Sequence, residues 1–402
     1  MPEETRETPA APDTSVDDRA GKCHYRFHDK FICDRPTKPG QDLCVCHRME
    51  RTPEEEEEFL AEVEKVMDDG KKNAVYAAYD LRGFRFPKEF LHFLDEKLPG
   101  HVFLQDAVFK GDLLFDGTEI TGDLWLQDTR VDGQCSFFKT TIGGDAWILS
   151  TSISSKANFL NTVFGGMASF ADMTVHGSTS FQGAHFNAAT SFVKVSFGYG
   201  VEFHSATLPP GGTFRDITVS PGRGESLYRF AKQVCQNMGE YREAGDWHVK
   251  ERRDAWYTKR AKCAVDTLNF LRHYRWLRWL ARRRIALFVA HVRAWPEAFV
   301  LDGIFGYGER PRQVGAAALV IIFTWTLYYR IAGAVYDTAT SRAADIWGCL
   351  YFSLVTFTTL GFGDLRPLPV SAYRLMAGFE AVAGAFLMAA FLVTLARRWG
   401  RG

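Results

Sequence analysis

The chain has no excess of charge of either sign. Lysine plus arginine and aspartate plus glutamate each total 48 among 402 residues, so net charge gives no argument for a nucleic-acid partner, and none is expected. The opening segment MPEETRETPAAPDTSVDDRAGK lacks the basic start and apolar core of a secretory signal. Residues 1–20 read as a disordered tail. No combination of nucleophile, base and orienting group stands out, and no strand leads into a lysine-bearing phosphate loop, so the chain is not expected to be an enzyme. No apolar run long enough to cross a bilayer precedes Val314.

What is present is uneven. An acidic block, TPEEEEEFLAEVEKVMDD, lies early, whereas Lys250 to Arg293 is densely basic and rich in tryptophan and tyrosine. Without an export signal, the eight cysteines suggest a reducing compartment, where metal binding is favoured over disulfides. Four of them fall with a histidine in CHYRFHDKFICDRPTKPGQDLCVCH. Cys23, Cys33, Cys44 and His47 would close a tetrahedral zinc site, with Cys46 as a rival to Cys44. The alternative is a set of buried free thiols. A structural zinc knob over residues 21–50 is the preferred reading.

From Gly100 to Pro209 the sequence divides into ten gapless units of eleven residues. The fifth position is always apolar, from Leu104 and Phe115 to Phe192 and Phe203. So is the tenth, from Phe109 and Ile120 to Phe197 and Leu208. This spacing of five and six suits neither a helix nor a flat strand, and a fixed short period means a solenoid. Each short side is expected to send one side chain to the axis. The pattern resembles the pentapeptide-repeat family, which implies a right-handed four-sided β-helix. Two units per turn then give about five coils over residues 100–209. Interspersed lysines, such as Lys110, Lys139 and Lys156, argue against an acidic DNA-like face. An interaction or assembly module is expected, open to an unidentified cytoplasmic regulator. Residues 51–99 are assigned to a helical segment and a cap, with Pro87–Leu98 as an amphipathic capping helix.

Residues 225–264 show apolar steps of three and four, broken near Met238-Gly239, and read as a helical hairpin. Residues 265–312 interleave Trp276, Trp279 and Trp295 with arginines. This composition suits nucleic-acid stacking or a helix at the membrane surface, and the following segments favour the membrane. The stretch ends in a compact turn, GYGERPRQ (306–313).

Val314–Tyr336 and Met376–Ala396 each carry one charge, Arg330 and Glu380 respectively, and are long enough to span. Arginines flank their outer sides, placing both termini in the cytoplasm of a multi-pass cell-membrane protein. Between them, Ala344–Thr358 is too short to cross and fits a re-entrant half-helix. Glu380 lies where it would brace that half-helix from behind.

The next residues, Thr359-Leu360-Gly361-Phe362-Gly363-Asp364, resemble the selectivity filter of potassium channels. The resemblance implies carbonyls that replace the water shell of K⁺, glycines that admit unusual dihedrals, and an outer-mouth aspartate. It makes Trp347, Tyr351 and Thr358 pore-helix supports, Gly384 a gating hinge with Gly378 as competitor, and the assembly a homotetramer in lipid. The GYGERPRQ turn is similar to one preceding the spans of membrane-linked pentapeptide-repeat proteins with a C-terminal ion-channel domain.

The expected fold class is therefore a multidomain membrane protein. A cytoplasmic β-helix and a helical linker precede a two-transmembrane pore domain (313–402) with a re-entrant pore helix. The expected function is passive K⁺ conduction regulated by the repeat domain. A membrane-anchored interaction scaffold and a nonselective cation channel are the alternatives.

Overall fold

The computed structural model describes residues 21–28, 31–72, 77–88, 97–273, 298–338 and 342–399. The chain forms two compact units. The first is Met1–Gly198 with Arg215–Thr218, and the second is Tyr199–Phe214 with Val219–Gly402.

The first unit opens with a two-stranded antiparallel ribbon, Arg26–Phe27 against Phe31–Ile32, and a tight turn at Val45–His47. A helix follows at Pro53–Lys72. Its start is a reciprocal cap: Glu55 N donates to Thr52 Oγ1 at 3.3 Å, and Thr52 N donates to Glu55 Oε2 at 3.1 Å. Proline at the first helical position removes a donor that would have had no partner.

A right-handed ladder of short parallel strands then winds through about six turns on four sides. Its register repeats every twenty-two residues: Leu124 pairs with Ala146, and Arg130 with Ser152. Stacking by exact repetition brings like side chains together. Phe137 lies face to face on Phe159 at 5.4 Å, and Phe159 on Phe181 at 4.7 Å. The fifth and tenth positions are buried throughout this unit, which accounts for the phenylalanine-rich composition.

Two features differ from the sequence reading. Each side sends two side chains inward, not one. The third positions (Val102, Leu113, Leu124, Cys135) and the eighth (Thr118, Thr129, Thr140, Thr162) are also buried. They hold mostly smaller residues, including threonines, so they escaped an apolar count. Thr140 Oγ1 donates to Phe115 O and Thr162 Oγ1 to Phe137 O, both at 2.6 Å, whereas the buried Thr179 hydroxyl has no partner among the described residues. The solenoid also begins before Gly100. Ala78–Asp80 pairs with His101–Phe103, and Arg85–Phe86 pairs with Val108–Phe109. These pairs are twenty-three residues apart, and the extra residue hides the first coil from an eleven-residue frame. Lys97–Leu98 is a strand rather than the end of a capping helix, and residues 89–96 of that helix lie outside the described residues.

The corners follow the same period. Asp106, Gly117, Asp128, Lys139, Ser150, Asn161, Asp172, Gly183 and Lys194 all have positive φ, between 49° and 74°. No β-branched residue occupies this position, in keeping with the cost of left-handed backbone for such side chains.

In the second unit, helices Glu225–Asn237 and Tyr241–His273 form a hairpin that turns at Gly239, with φ of +78°. The Asp254 carboxylate accepts from Gly222 N at 2.6 Å and Gly224 N at 2.7 Å, tying the start of the first helix to the second. The tryptophan-arginine stretch 274–297 lies outside the described residues. Arg253 then grips Asp302 with two nitrogens, at 2.8 Å each.

A turn at Gly306–Gly308 leads into helix Pro311–Ala332, which ends where Gly333 takes a left-handed conformation. A short apolar helix follows at Ile346–Phe357, and a last helix at Ser371–Trp399. The first and last are long and apolar enough to cross a membrane. Leu319, Val320, Phe323, Leu327 and Ile331 on one, and Leu375, Phe379, Val382 and Phe386 on the other, are exposed. Continuous apolar faces of this kind suit lipid or further protein rather than water.

Candidate functional site

The loop after the short helix is built from both ends. Asp345 caps the helix start, its carboxylate accepting from Gly348 N at 2.7 Å. Thr358 closes the helix end by donating from Oγ1 to Leu354 O at 2.7 Å. Beyond it the backbone alternates. Thr359, Gly361 and Gly363 have φ of +57°, +55° and +81°, whereas Leu360 and Phe362 are not in the left-handed region. Glycine at 361 and 363 makes this inexpensive. A β-branched threonine there is strained, and backbone strain concentrates at functional sites.

The far end of the loop is fastened to the first long helix. Val335–Asp337 pairs antiparallel with Leu365–Pro367. Thr338 donates to Asp364 O from its backbone nitrogen at 3.0 Å and from Oγ1 at 2.8 Å. Arg366 Nε donates to Gly363 O at 3.2 Å. Leu360 and Phe362 point away from the chain, 63% and 68% exposed. On the short helix Trp347 and Tyr351 are both exposed. Trp347 therefore does not pack behind the loop of its own chain.

Behind the short helix sits a buried polar node. Glu380 of the last helix is 0% exposed and accepts from Tyr329 of the first long helix at 2.6 Å. Its other oxygen is bonded to the Ser353 hydroxyl, which also lies 3.1 Å from Ile322 O. One side chain thus joins three helices in an apolar setting. The available sequence signal is a polar residue inside each apolar run, which singles out Glu380 but not Ser353 or Tyr329.

Gly384 of the last helix packs directly against the backbone of Phe357 at the end of the short one. A Cβ there would lie 2.0 Å from Phe357 O, whereas at Gly378 it would meet nothing within 4 Å. Packing by itself therefore requires glycine at 384. The turn ahead of the first long helix also has two close neighbours. Glu309 Oε2 is 2.8 Å from where a Gly245 Cβ would stand on the second hairpin helix. Arg397 of the last helix is 2.9 Å from the corresponding Gly308 position.

A second cluster lies in the first unit. Cys23, Cys33, Cys44 and His47 are buried, with their donor atoms all within 4.8 Å of one another. His47 Nδ1 is 3.3 Å from both Cys23 Sγ and Cys44 Sγ. Tetrahedral zinc, with bonds of about 2.0–2.3 Å, sets its ligands roughly 3.5–3.8 Å apart, so this set fits. His47 Nε2 is 3.0 Å from Arg82 O, which assigns that nitrogen the proton and leaves Nδ1 as the donor to a metal. Tyr25 stacks on the imidazole at 4.0 Å. Hydrogen bonds from Cys33 and Cys44 lower the Cys23 thiol, and the same bonds to Cys23 raise Cys33 and Cys44. Cys46 is buried but outside the cluster, so the geometry favours Cys44.

Compared with known proteins, residues 315–400 match the family model described as "Ion channel". The match takes in most of the first long helix, the short helix, the loop and the last helix. No curated protein and no solved structure matches the chain.

Proposed function

We propose that the chain is the subunit of a potassium-selective channel, with four copies of Thr359–Asp364 closing around one axis. The observation that carries this reading is the alternating handedness at Thr359, Gly361 and Gly363, within the stretch that matches an ion-channel family. Alternation of left- and right-handed residues turns successive carbonyls to the same side of the backbone. A strip of such carbonyls can replace the hydration shell of K⁺ once several strips face one another. One chain supplies one strip, and closed cyclic symmetry supplies the ring.

In this arrangement the Thr359 hydroxyl adds oxygens at the inner end and the Asp364 carboxylate stands at the outer mouth. The short helix directs its C-terminal partial negative charge toward the ion path. Trp347 and Tyr351 pack against Leu360 or Phe362 of a neighbouring copy, giving those exposed side chains a partner. The last helix lines the inner pore and bends at Gly384 on opening. Both termini lie in the cytoplasm. Cys23, Cys33, Cys44 and His47 hold a structural zinc, and the β-helix serves regulation or assembly. The turn at Gly306–Gln313, near Gly245 on one side and Arg397 on the other, passes movement of the hairpin to the last helix.

The test is flux from liposomes containing purified full-length protein. K⁺ efflux is expected to exceed Na⁺ efflux, and Gly361→Ala is expected to abolish the difference. Equal K⁺ and Na⁺ flux would replace this reading with a nonselective cation channel. Absence of flux from folded, reconstituted protein would replace it with a membrane-anchored scaffold.

A further inference from the structure

Where the first long helix begins, a cavity of about 650 Å³ is lined by Arg242, Arg310 and Arg312. The same lining holds one carboxylate, Asp246, and none of the three arginines forms an ion pair among the described residues. The cavity does not end in polar wall. At Gly315 and Phe391 it meets a second, almost wholly apolar groove of about 340 Å³. That groove runs along Val314, Ala318, Leu387 and Leu392, between the first and last helices.

A net positive chamber that opens into an apolar channel of this kind fits one molecule with both characters. We infer that the chain binds an anionic phospholipid here, its phosphate against Arg310, Arg312 and Arg242 and one acyl chain in the groove beyond Gly315. The inference rests on the reading of the two long helices as membrane spans. Pro311 then marks the boundary of the hydrocarbon, with the arginines at headgroup level and Ala318, seven residues on, about 10 Å deeper. Basic residues at that level attract anionic headgroups. A free phosphate would use the arginines alone and leave the groove without a role. There is room at Gly315: a Cβ there would approach Phe391 only to 3.9 Å, so a larger side chain would be needed to fill the passage. The site adjoins the turn that approaches Arg397, so a bound lipid would bear on the end of the last helix.

Native mass spectrometry of delipidated full-length protein in detergent tests this, with phosphatidylglycerol, phosphatidylcholine and inorganic phosphate as probes. Retention of phosphatidylglycerol is expected to exceed that of phosphatidylcholine by about tenfold. The double variant Arg310→Gln/Arg312→Gln is expected to lose that preference. Gly315→Leu is expected to weaken retention of both lipids while leaving the preference. Equal retention by wild type would overturn the inference, as would a preference that survives the double variant. Displacement of bound lipid by inorganic phosphate would show an anion site without a lipid site and overturn it too. Each variant is compared at matched melting temperature and elution. If the double variant does not fold, Arg242→Gln serves, with a partial loss expected and no loss contradicting the inference. Ion flux is measured separately. Lost lipid retention with intact K⁺ flux sinks this inference alone, whereas missing flux with intact retention sinks the channel reading.

Discussion

Replacing Glu380 by alanine is expected to loosen the three-helix node behind the loop. In the structure both carboxylate oxygens are engaged, one by Tyr329 and one by Ser353, at a site with no solvent exposure. Ser353 keeps a partner without Glu380, because Ile322 O lies 3.1 Å away. Tyr329 does not: its hydroxyl has no other hydrogen-bond partner among the described residues. Leaving one buried hydroxyl unsatisfied costs about 1–3 kcal/mol, and losing the second bond adds about 1 kcal/mol. The alanine variant should therefore be destabilised by about 3 kcal/mol. Glutamine retains a carbonyl for Tyr329 and an amide that can donate to Ser353, so Glu380→Gln should lose about 1 kcal/mol. Denaturation of purified protein in detergent, followed by tryptophan fluorescence, measures both variants. An alanine variant as stable as wild type would refute the reasoning. So would a glutamine variant that loses as much as alanine, since the bonds would then not be the cause.

Other outcomes follow from single contacts. Gly384→Ala places a methyl 2.0 Å from Phe357 O, so the helices must part, with a loss of about 1–3 kcal/mol in the same denaturation assay. Gly378→Ala meets nothing and should be near neutral. Zinc analysis of purified protein should give one ion per chain, retained by Cys46→Ser and lost by Cys44→Ser; the reverse pattern would move the site to Cys46. Hydrogen bonding to Arg48, with the Thr52 backbone, holds the Glu55 carboxyl down to about 2. A carboxyl lowered by folding stabilises above its unfolded value and loses that contribution as pH falls toward 2. Unfolding of the Pro53–Lys72 region should therefore become easier between about pH 4 and pH 2, and less so in Glu55→Gln.

The parts of the fold that repeat were legible because repetition multiplies a weak signal. Ten fifth-position residues in register identify a solenoid even though no strand among the described residues exceeds four residues. Its first coil was not legible, since the pairing of Ala78 with His101 steps out of frame by one residue. The inward threonines were missed for a different reason: hydroxyls such as that of Thr140 are satisfied by a carbonyl one coil away, a fact of three-dimensional stacking. At the loop, the residue types suggested where unusual dihedrals would fall at Gly361 and Gly363. They gave no hint of one at Thr359, where side-chain chemistry opposes the backbone it adopts. Nor could spacing show that Thr338 holds Asp364, because that contact bridges the loop and the end of another helix. Asp345 ahead of an apolar run was an available cap signal.

The central claim is that Thr359–Asp364 selects K⁺. Current across a planar bilayer containing the purified protein, with KCl on one side and NaCl on the other, tests it most directly. The account predicts a reversal potential close to that of a K⁺ electrode, collapsing toward zero in Gly363→Ala. A wild-type reversal potential near zero would contradict it.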